Sequence, residues 1–143
     1  MICTFFGHRE CCELDTAALK IAIEGFIQLG AEVFLVGHQG QFDSMVYRCL
    51  KQLRRTYPHI QVCVVLAYLP TKNWEHEDMT DTMYPEIEGH PKYAVDRRNR
   101  WMIEQADYCL CYICHTWGGA YKYARMAKRR GLTVVNLGHA QIG

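Results

Sequence analysis

Three short segments combine glycine with residues that can bind an anion or transfer a proton. They are Gly7-His8-Arg9-Glu10, Gly37-His38-Gln39-Gly40-Gln41-Phe42-Asp43 and His115-Thr116-Trp117-Gly118-Gly119-Ala120. Glycine lets backbone N–H groups approach a phosphate closely, and a helix that begins beside them adds a partial positive charge. Neither GxGxxG nor GxxxxGK[ST] occurs, and a lone Gly-Gly pair is common in ordinary turns. The three turns indicate a phosphate-binding site if the fold brings them to one edge.

An imidazole accompanies each glycine turn, from His8, His38 and His115. Three converging neutral imidazoles could hold a zinc ion with an open position for water, and Cys11 or Cys12 could add a ligand or a nucleophile. They could instead be polar loop residues that hydrogen-bond a ligand phosphate or a neighbouring carbonyl group. We favour the second interpretation, because parallel strands do not by themselves make side chains converge. We predict neither a metal nor a cofactor.

Three arginines follow Asp96 at the start of a predicted helix, in the segment Arg97-Arg98-Asn99-Arg100. The helix dipole disfavours positive charge at a helix N-terminus, so a compensating anion is expected there. A neighbouring carboxylate or a ligand phosphate would serve. We favour ligand contact for Arg98 and Arg100.

The apolar pattern alternates between short buried runs and helical periodicity. It predicts strands at 2–6, 33–36, 60–69, 108–114 and 132–137, and helices at 14–29, from about 46 to 57, at 97–106 and at 119–130. Five buried strands separated by helices predict an α/β fold, a Rossmann-like three-layer sandwich with a mostly parallel five-stranded sheet and helices on both faces. Ligands bind such sheets outside the carboxyl ends of the strands, where the three glycine turns fall.

Residues 70–95 interrupt this pattern with Pro70, Pro85, Gly89 and Pro91. A stretch of this length is typical of a functional loop or lid, and a poorly ordered insertion is the alternative. We favour the lid. The aromatic residues Trp74, Tyr84 and Trp117 could stack on a base or pack beneath such a lid.

The 143 residues carry 16 Lys and Arg against 15 Asp and Glu, a net charge of +1. A charge so close to zero lacks the uniform positive field that attracts nucleic acid, so it argues against nucleic acid as a partner, although a local basic patch remains allowed. The longest apolar run, residues 62–69, is too short to cross a bilayer, and no signal-peptide pattern is visible. We therefore expect one cytoplasmic domain over residues 1–143, with reduced thiols and no membrane partner.

Four segments, in this order, resemble the SLOG superfamily: CTFFGHRE, GAEVFLVGHQGQFDSMVYRCLKQL, RRNRWMIEQAD and TWGGAYKYA. That superfamily includes the Smf/DprA DNA-processing proteins, the LOG phosphoribohydrolases and the YpsA-like proteins. The resemblance excludes residues 70–95 and is nearest to the small stand-alone YpsA-like branch. It implies a Rossmann-like fold that binds a nucleotide or a nucleotide-derived ligand, such as an ADP-ribose-like or cyclic species, and that forms homo-oligomers.

The candidate ligand-binding residues come from this resemblance and from the glycine turns. They are Gly7, His8, Arg9, Gly37, His38, Gly40, Asp43, Arg98, Asn99, Arg100, Thr116, Trp117, Gly118 and Gly119. The resemblance implies that Asp43 holds a ribose hydroxyl group.

The chain departs from the LOG motif PGGxGTxxE, because Trp117 replaces the proline and Arg125 replaces the catalytic glutamate. We therefore predict a sensor or sequestering module for a nucleotide-derived ligand. One alternative is a nucleotide N-glycosidic hydrolase whose catalytic carboxylate is unknown, with Asp43 and Glu10 as candidates. A further alternative, ranked last, is single-stranded DNA binding.

Overall fold

The computed structural model describes residues 1–11, 13–68, 81–85 and 87–143. The elements in chain order are β1 (Ile2–Gly7), α1 (Thr16–Gln28), β2 (Val33–Val36), α2 (Gly40–Thr56), β3 (Gln61–Val65), β4 (Thr82–Met83), α3 (Ala94–Gln105), β5 (Tyr108–Tyr112), α4 (Gly119–Arg129) and β6 (Thr133–Asn136). A short 3-10 helix, Pro91–Tyr93, leads directly into α3.

The strands form one sheet in the order β4-β3-β2-β1-β5-β6, and every neighbouring pair is parallel. The predicted Rossmann-like α/β fold is confirmed. From β1 the chain moves outward through β2, β3 and β4, and it then crosses to β5 on the other side of β1. The strand order therefore reverses between β1 and β5, which is where ligands bind in sheets of this kind.

Helices cover both faces of the sheet, which explains why its strands read as unbroken apolar runs. Leu19 and Ile23 of α1 and Val46 and Leu50 of α2 pack in the core on one face. Met102 and Ile103 of α3 pack with Ala124 and Ala127 of α4 in the core on the other face. Asp15 caps α1, since its carboxylate accepts a hydrogen bond from the Ala17 N–H group at 2.9 Å.

The sheet has a sixth strand within the region that the sequence predicts to be irregular. β4 pairs with β3, and the Leu66 N–H group donates to the Met83 carbonyl oxygen at 2.8 Å. Asp81 anchors this edge through the Arg54 guanidinium at 2.9 Å and the Tyr47 hydroxyl at 3.0 Å. β4 has only two residues, too few to show the alternating hydrophobic pattern of a strand, so the sequence pattern does not predict it.

Two helices begin earlier than predicted, α2 at Gly40 and α3 at Ala94. Of the predicted lid at 70–95, residues 70–80 and 86 lie outside the described residues, and so does Trp74. In the described part of the chain, no helix is both long and apolar enough to span a membrane.

Candidate functional site

A cleft of about 330 Å³ opens at the carboxyl ends of the central strands. Candidate residues from the sequence that line it are Gly7, His8, Arg9, Gly37, Asp43, Arg98, Asn99 and Gly119. They come from the turns after β1 and β2, from α3 and from the start of α4. The cleft therefore lies beside the point where the strand order reverses.

The turns after β1 and β2 are locked together by close packing. A Cβ atom on Gly7 would overlap the Phe42 ring, and one on Gly40, whose φ is +86°, would lie 2.8 Å from the Arg9 Cα atom. The Gln41 N–H group donates to the Arg9 carbonyl oxygen at 2.8 Å. Glycine is thus required at Gly7 by close approach and at Gly40 by both approach and backbone conformation.

Arg98 lines the cleft and carries a positive charge. The residue is only 4% exposed, so this charge is buried. Its guanidinium donates to the Val65 carbonyl oxygen at 2.9 Å and, through Nε, to the Asn99 side-chain oxygen at 2.7 Å. Burial lowers the pKa of Arg98, and the Asp43 carboxylate partly opposes this effect. The group stays charged, and its orientation is fixed by the two acceptors.

Asp43 and Arg98 approach each other from two sides of Gly37. A Cβ atom on Gly37 would lie 2.8 Å from Asp43 Oδ2 and 3.3 Å from Arg98 Cζ. Asp43 Oδ2 accepts a hydrogen bond from the Gln39 N–H group at 2.9 Å. Burial raises the pKa of Asp43 to about 6, against the lowering effects of the Gln39 hydrogen bond and of Arg98. Such a carboxyl group can accept a hydrogen bond from a sugar hydroxyl group or exchange a proton near neutral pH.

Three rings form a continuous stack beside the cleft. The His8 and His115 ring centroids are 4.0 Å apart, and those of His115 and Trp117 are 3.8 Å apart. His8 Nε2 accepts a hydrogen bond from the Cys114 N–H group at 2.9 Å. Burial and the neighbouring His115 lower the pKa of His8, so the neutral ring is favoured. Trp117 ends the stack and is 68% exposed.

The imidazoles of His8 and His115 converge, but they meet face to face, which does not direct their nitrogen lone pairs at one point. His38 lies exposed in the turn before α2. Within the described ranges, no group of three or more His, Cys, Asp or Glu residues could hold a metal ion. Cys11 is buried against the Met45 sulfur, and Cys12 lies outside the described residues.

The arginines of α3 differ in their partners. Arg100 donates to Asp96 at 2.9 Å, and Arg97 donates to the His90 carbonyl oxygen at 2.8 Å. A neighbouring carboxylate is therefore the anion beside Arg100, which lies outside the cleft. Arg98 alone of the three lines it.

The other candidates lie beside the cleft and do not line it. They are His38, Gly40, Thr116, Trp117, Gly118 and the exposed Glu10. Arg125, at the position of the LOG glutamate, also lies outside and donates to the Gly143 carbonyl oxygen at 3.1 Å.

Tyr123, which the sequence pattern did not indicate as a site residue, also lines the cleft. Its ring stacks on Phe6 with centroids 5.5 Å apart, and its hydroxyl donates to Asp96 at 2.6 Å. Burial and this hydrogen bond raise the pKa of Tyr123 to about 12. Its spacing of four residues from Gly119, one helical turn, was the available signal.

A larger cleft of about 530 Å³ lies on the other side of Arg98, lined in part by Tyr68, Tyr84 and Arg97. It contains none of the glycine turns. We place the candidate site in the smaller cleft, because the strand ends, the glycine turns and the buried Arg98–Asp43 arrangement meet there.

No known protein-family model matches this chain, and neither does any curated protein. The chain is similar in structure to DNA processing protein A (DprA) from Streptococcus pneumoniae, with 14% identity and a TM-score of 0.67 over 94% of this chain and 49% of that one. It is also similar to DNA processing protein A from Helicobacter pylori, with 14% identity and a TM-score of 0.64 over 95% of this chain and 64% of that one. The chain spans about half and about two thirds of these two proteins, and the likeness shows the fold.

The prediction that nucleic acid is not a partner, drawn from net charge, is wrong. The Helicobacter pylori protein, which shares this fold, has a single-stranded DNA binding mode. A net charge is a sum over the whole chain, and it does not report how the positive side chains are distributed over the surface.

Proposed function

We propose that this chain binds single-stranded DNA and holds one nucleotide unit in the cleft lined by Gly7, Gly37, Arg98 and Gly119. The observation that carries this proposal is the buried guanidinium of Arg98. A buried charge is costly unless an opposite charge compensates it. The nearby Asp43 attracts this charge, but among the described residues no direct ion pair joins its carboxylate to Arg98. A phosphate group would complete the compensation, and it suits the fork of N–H donors that arginine presents.

The ring stack supplies a place for a base beside that phosphate site. His8 both lines the cleft and begins the stack, so the two features adjoin. The indole of Trp117 packs on His115, and its high exposure leaves it accessible to a further ring. Stacking of a base on an aromatic side chain contributes about 1–3 kcal/mol and tolerates any base. This combination suits a single strand bound without strong sequence preference.

A free nucleotide or nucleotide-derived ligand is the second candidate, for a sensor or sequestering role. What favours it is the size of the cleft, since about 330 Å³ lies at the small end of small-molecule sites. Asp43 would then face a sugar hydroxyl group, or would act as the acid of an N-glycosidic cleavage. We also propose that the chain belongs to the YpsA-like branch of the SLOG superfamily. The order of the four sequence motifs supports this assignment.

A titration with a fluorescein-labelled oligothymidylate of about twelve nucleotides tests the proposal, since single-strand sites span about 4–16 nucleotides. The blocking variant is Ala120→Phe, which fills the cleft from the second residue of α4 without changing charge. Ala17→Phe, at the exposed second residue of α1, is the matched control. We expect fluorescence anisotropy to report binding to wild type and to the control, and at least tenfold weaker binding to Ala120→Phe.

Competition separates the two candidates in the same assay. Displacement of the oligonucleotide only by other single strands supports DNA binding. Displacement by a mononucleotide or ADP-ribose at similar concentration supports the free ligand, and chromatography of the mixture then detects any cleavage. Equal binding by wild type and Ala120→Phe would contradict the assignment of the cleft.

A further inference from the structure

Positive charge is concentrated on one helix of this nearly neutral chain. Residues 119–130 contain Lys122, Arg125, Lys128, Arg129 and Arg130 and no acidic residue, while the whole chain has a net charge of +1. Close to a third of the lysines and arginines therefore lie on α4 and at its C-cap. The remainder of the chain has a net negative charge, so the charge of the protein is distributed unevenly, with α4 on the positive side.

The outer face of α4 forms a groove that is separate from the cleft. We name it the α4 groove. Its volume is about 440 Å³, and it is lined by Gly118, Tyr121, Lys122, Arg125, Met126 and Arg129. The opposite side of the helix, with Tyr123, Ala124 and Ala127, is buried against the sheet. The Arg125 guanidinium lies 5.6 Å from the centre of the Tyr121 ring. Basic side chains and an aromatic ring thus share one open surface.

The charges of the α4 groove are only partly compensated by the protein. Lys122 lies 3.4 Å from Asp96, but that carboxylate also pairs with Arg100 at 2.9 Å. Within the described ranges, no acidic side chain forms an ion pair with Arg125 or Arg129. On α2, by contrast, Arg54 forms a two-pronged ion pair with Asp81. The α4 groove keeps a net positive charge that an anion can balance.

The α4 groove adjoins the candidate site, because neighbouring residues of α4 line the cleft and the groove. Gly119 and Ala120 line the cleft, and the residues that line the groove begin at Gly118 and continue along the same helix. Trp117 precedes Gly118 directly, at the end of the ring stack. A strand that leaves the cleft past Trp117 therefore meets the basic face of α4 next.

We propose that the α4 groove binds the phosphate backbone of the single strand whose first nucleotide occupies the cleft, an inference that rests on the proposed function. The helix has 11 residues, which is about 16 Å at 1.5 Å per residue. At about 3.4 Å or more per nucleotide, that length accommodates at most about five phosphates. Lys122, Arg125 and Arg129, spaced three and four residues apart on one face, contact these phosphates.

The test is the salt dependence of binding for two oligothymidylates, a dinucleotide that is too short to extend along the α4 groove and a strand of about twelve nucleotides. The test variant carries Lys122→Ala, Arg125→Ala and Arg129→Ala. The matched control carries Arg48→Ala, Lys51→Ala and Arg55→Ala on the exposed face of α2, across the sheet. Each set removes three positive charges from a chain of net charge +1. Far-UV circular dichroism confirms that both variants are folded, and Arg129→Glu alone repeats the test if the triple variant is not.

Each phosphate contact on a single strand contributes about −0.7 to the slope of log affinity against log salt. We therefore expect the α4 variant to lower the magnitude of the slope for the longer strand by about 2, and its affinity by about 100-fold at about 0.1 M salt. Binding of the dinucleotide is expected to stay within twofold of wild type. The α2 control is expected to match wild type with both probes.

An unchanged slope in the α4 variant, with wild type still binding the longer strand, would overturn this inference and leave the proposed function in place. Failure of wild type to bind either probe would instead contradict the proposed function. Vesicles containing phosphatidylserine form a third arm. Binding to those vesicles that depends on the α4 residues, beside oligonucleotide binding that does not, would assign the α4 groove to a lipid surface and overturn the inference.

Discussion

Replacing Asp43 by asparagine is expected to make the protein more stable at neutral pH and to leave its stability unchanged in acid. Burial raises the pKa of Asp43 from its ordinary value of 3.8 to about 6. Between about pH 4 and pH 6, the Asp43 carboxyl group therefore stays protonated in the folded state but has lost its proton in the unfolded chain. The free energy of unfolding therefore falls as the pH rises through this range. At 1.36 kcal/mol for each pKa unit, this shift lowers the free energy of unfolding of the wild type by at most about 3 kcal/mol. The actual loss is smaller, because the Asp43 side chain is partly exposed to solvent. Asparagine keeps an oxygen acceptor for the Gln39 N–H group and carries no charge to desolvate.

Urea unfolding followed by circular dichroism at several pH values between 4 and 8 measures this effect. The difference in free energy of unfolding between Asp43→Asn and wild type is expected to grow from near zero at pH 4 to roughly 2 kcal/mol at pH 7. Glu10→Gln removes the same charge from an exposed loop residue and serves as the control. A difference in free energy of unfolding that does not change with pH, or an asparagine variant that is less stable than wild type at pH 7, would show that ionised Asp43 does not destabilise the folded state.

Two further variants test the packing of the site and the role of the stack. Gly7→Ala is expected to lower the free energy of unfolding by roughly 1–3 kcal/mol, because its Cβ atom overlaps the Phe42 ring. Gly25→Ala in α1, where a Cβ atom meets nothing within 4 Å, is expected to raise it by roughly 0.5–1 kcal/mol in the same urea titration. Trp117→Ala is expected to weaken oligonucleotide binding by about 1–3 kcal/mol with little change in melting temperature, and an unchanged affinity would remove the ring stack from the binding site.

The fold was predictable because its buried parallel strands and their helices carry strong local signals. The apolar run at Val33–Val36 matches β2 along its whole length. The apolar period of α2 already begins at Phe42, four residues before Val46, but the glycine turn obscured it, so the start at Gly40 was placed too late. β4 is held by pairing with β3 and by Asp81, which are tertiary contacts that no local pattern reports.

The candidate site was only partly predictable, since side-chain direction depends on tertiary packing. Arg98 and Arg100 stand two positions apart, nearly opposite each other on a helix. Arg98 lies on the buried face of α3 together with Met102, one helical turn later. This helical spacing could have shown from sequence alone that Arg98 points inward and Arg100 does not. The overlap of Gly7 with Phe42 and the bond from Arg98 to Val65 join distant parts of the chain, and only the folded structure shows them.

The proposed function requires that a nucleotide unit occupy the cleft at the carboxyl ends of β1, β2 and β5. An NMR titration can locate it, by following backbone amide signals while the oligothymidylate is added. We expect the amide signals of Gly7, Gly37 and Gly119 to shift together with one dissociation constant. The amide signals of Gly30 and Gly131, which precede β2 and β6 at the opposite edge of the sheet, are expected to stay in place. Shifts confined to Gly30, Gly131 and their neighbours, or no shifts at all, would contradict the proposed function.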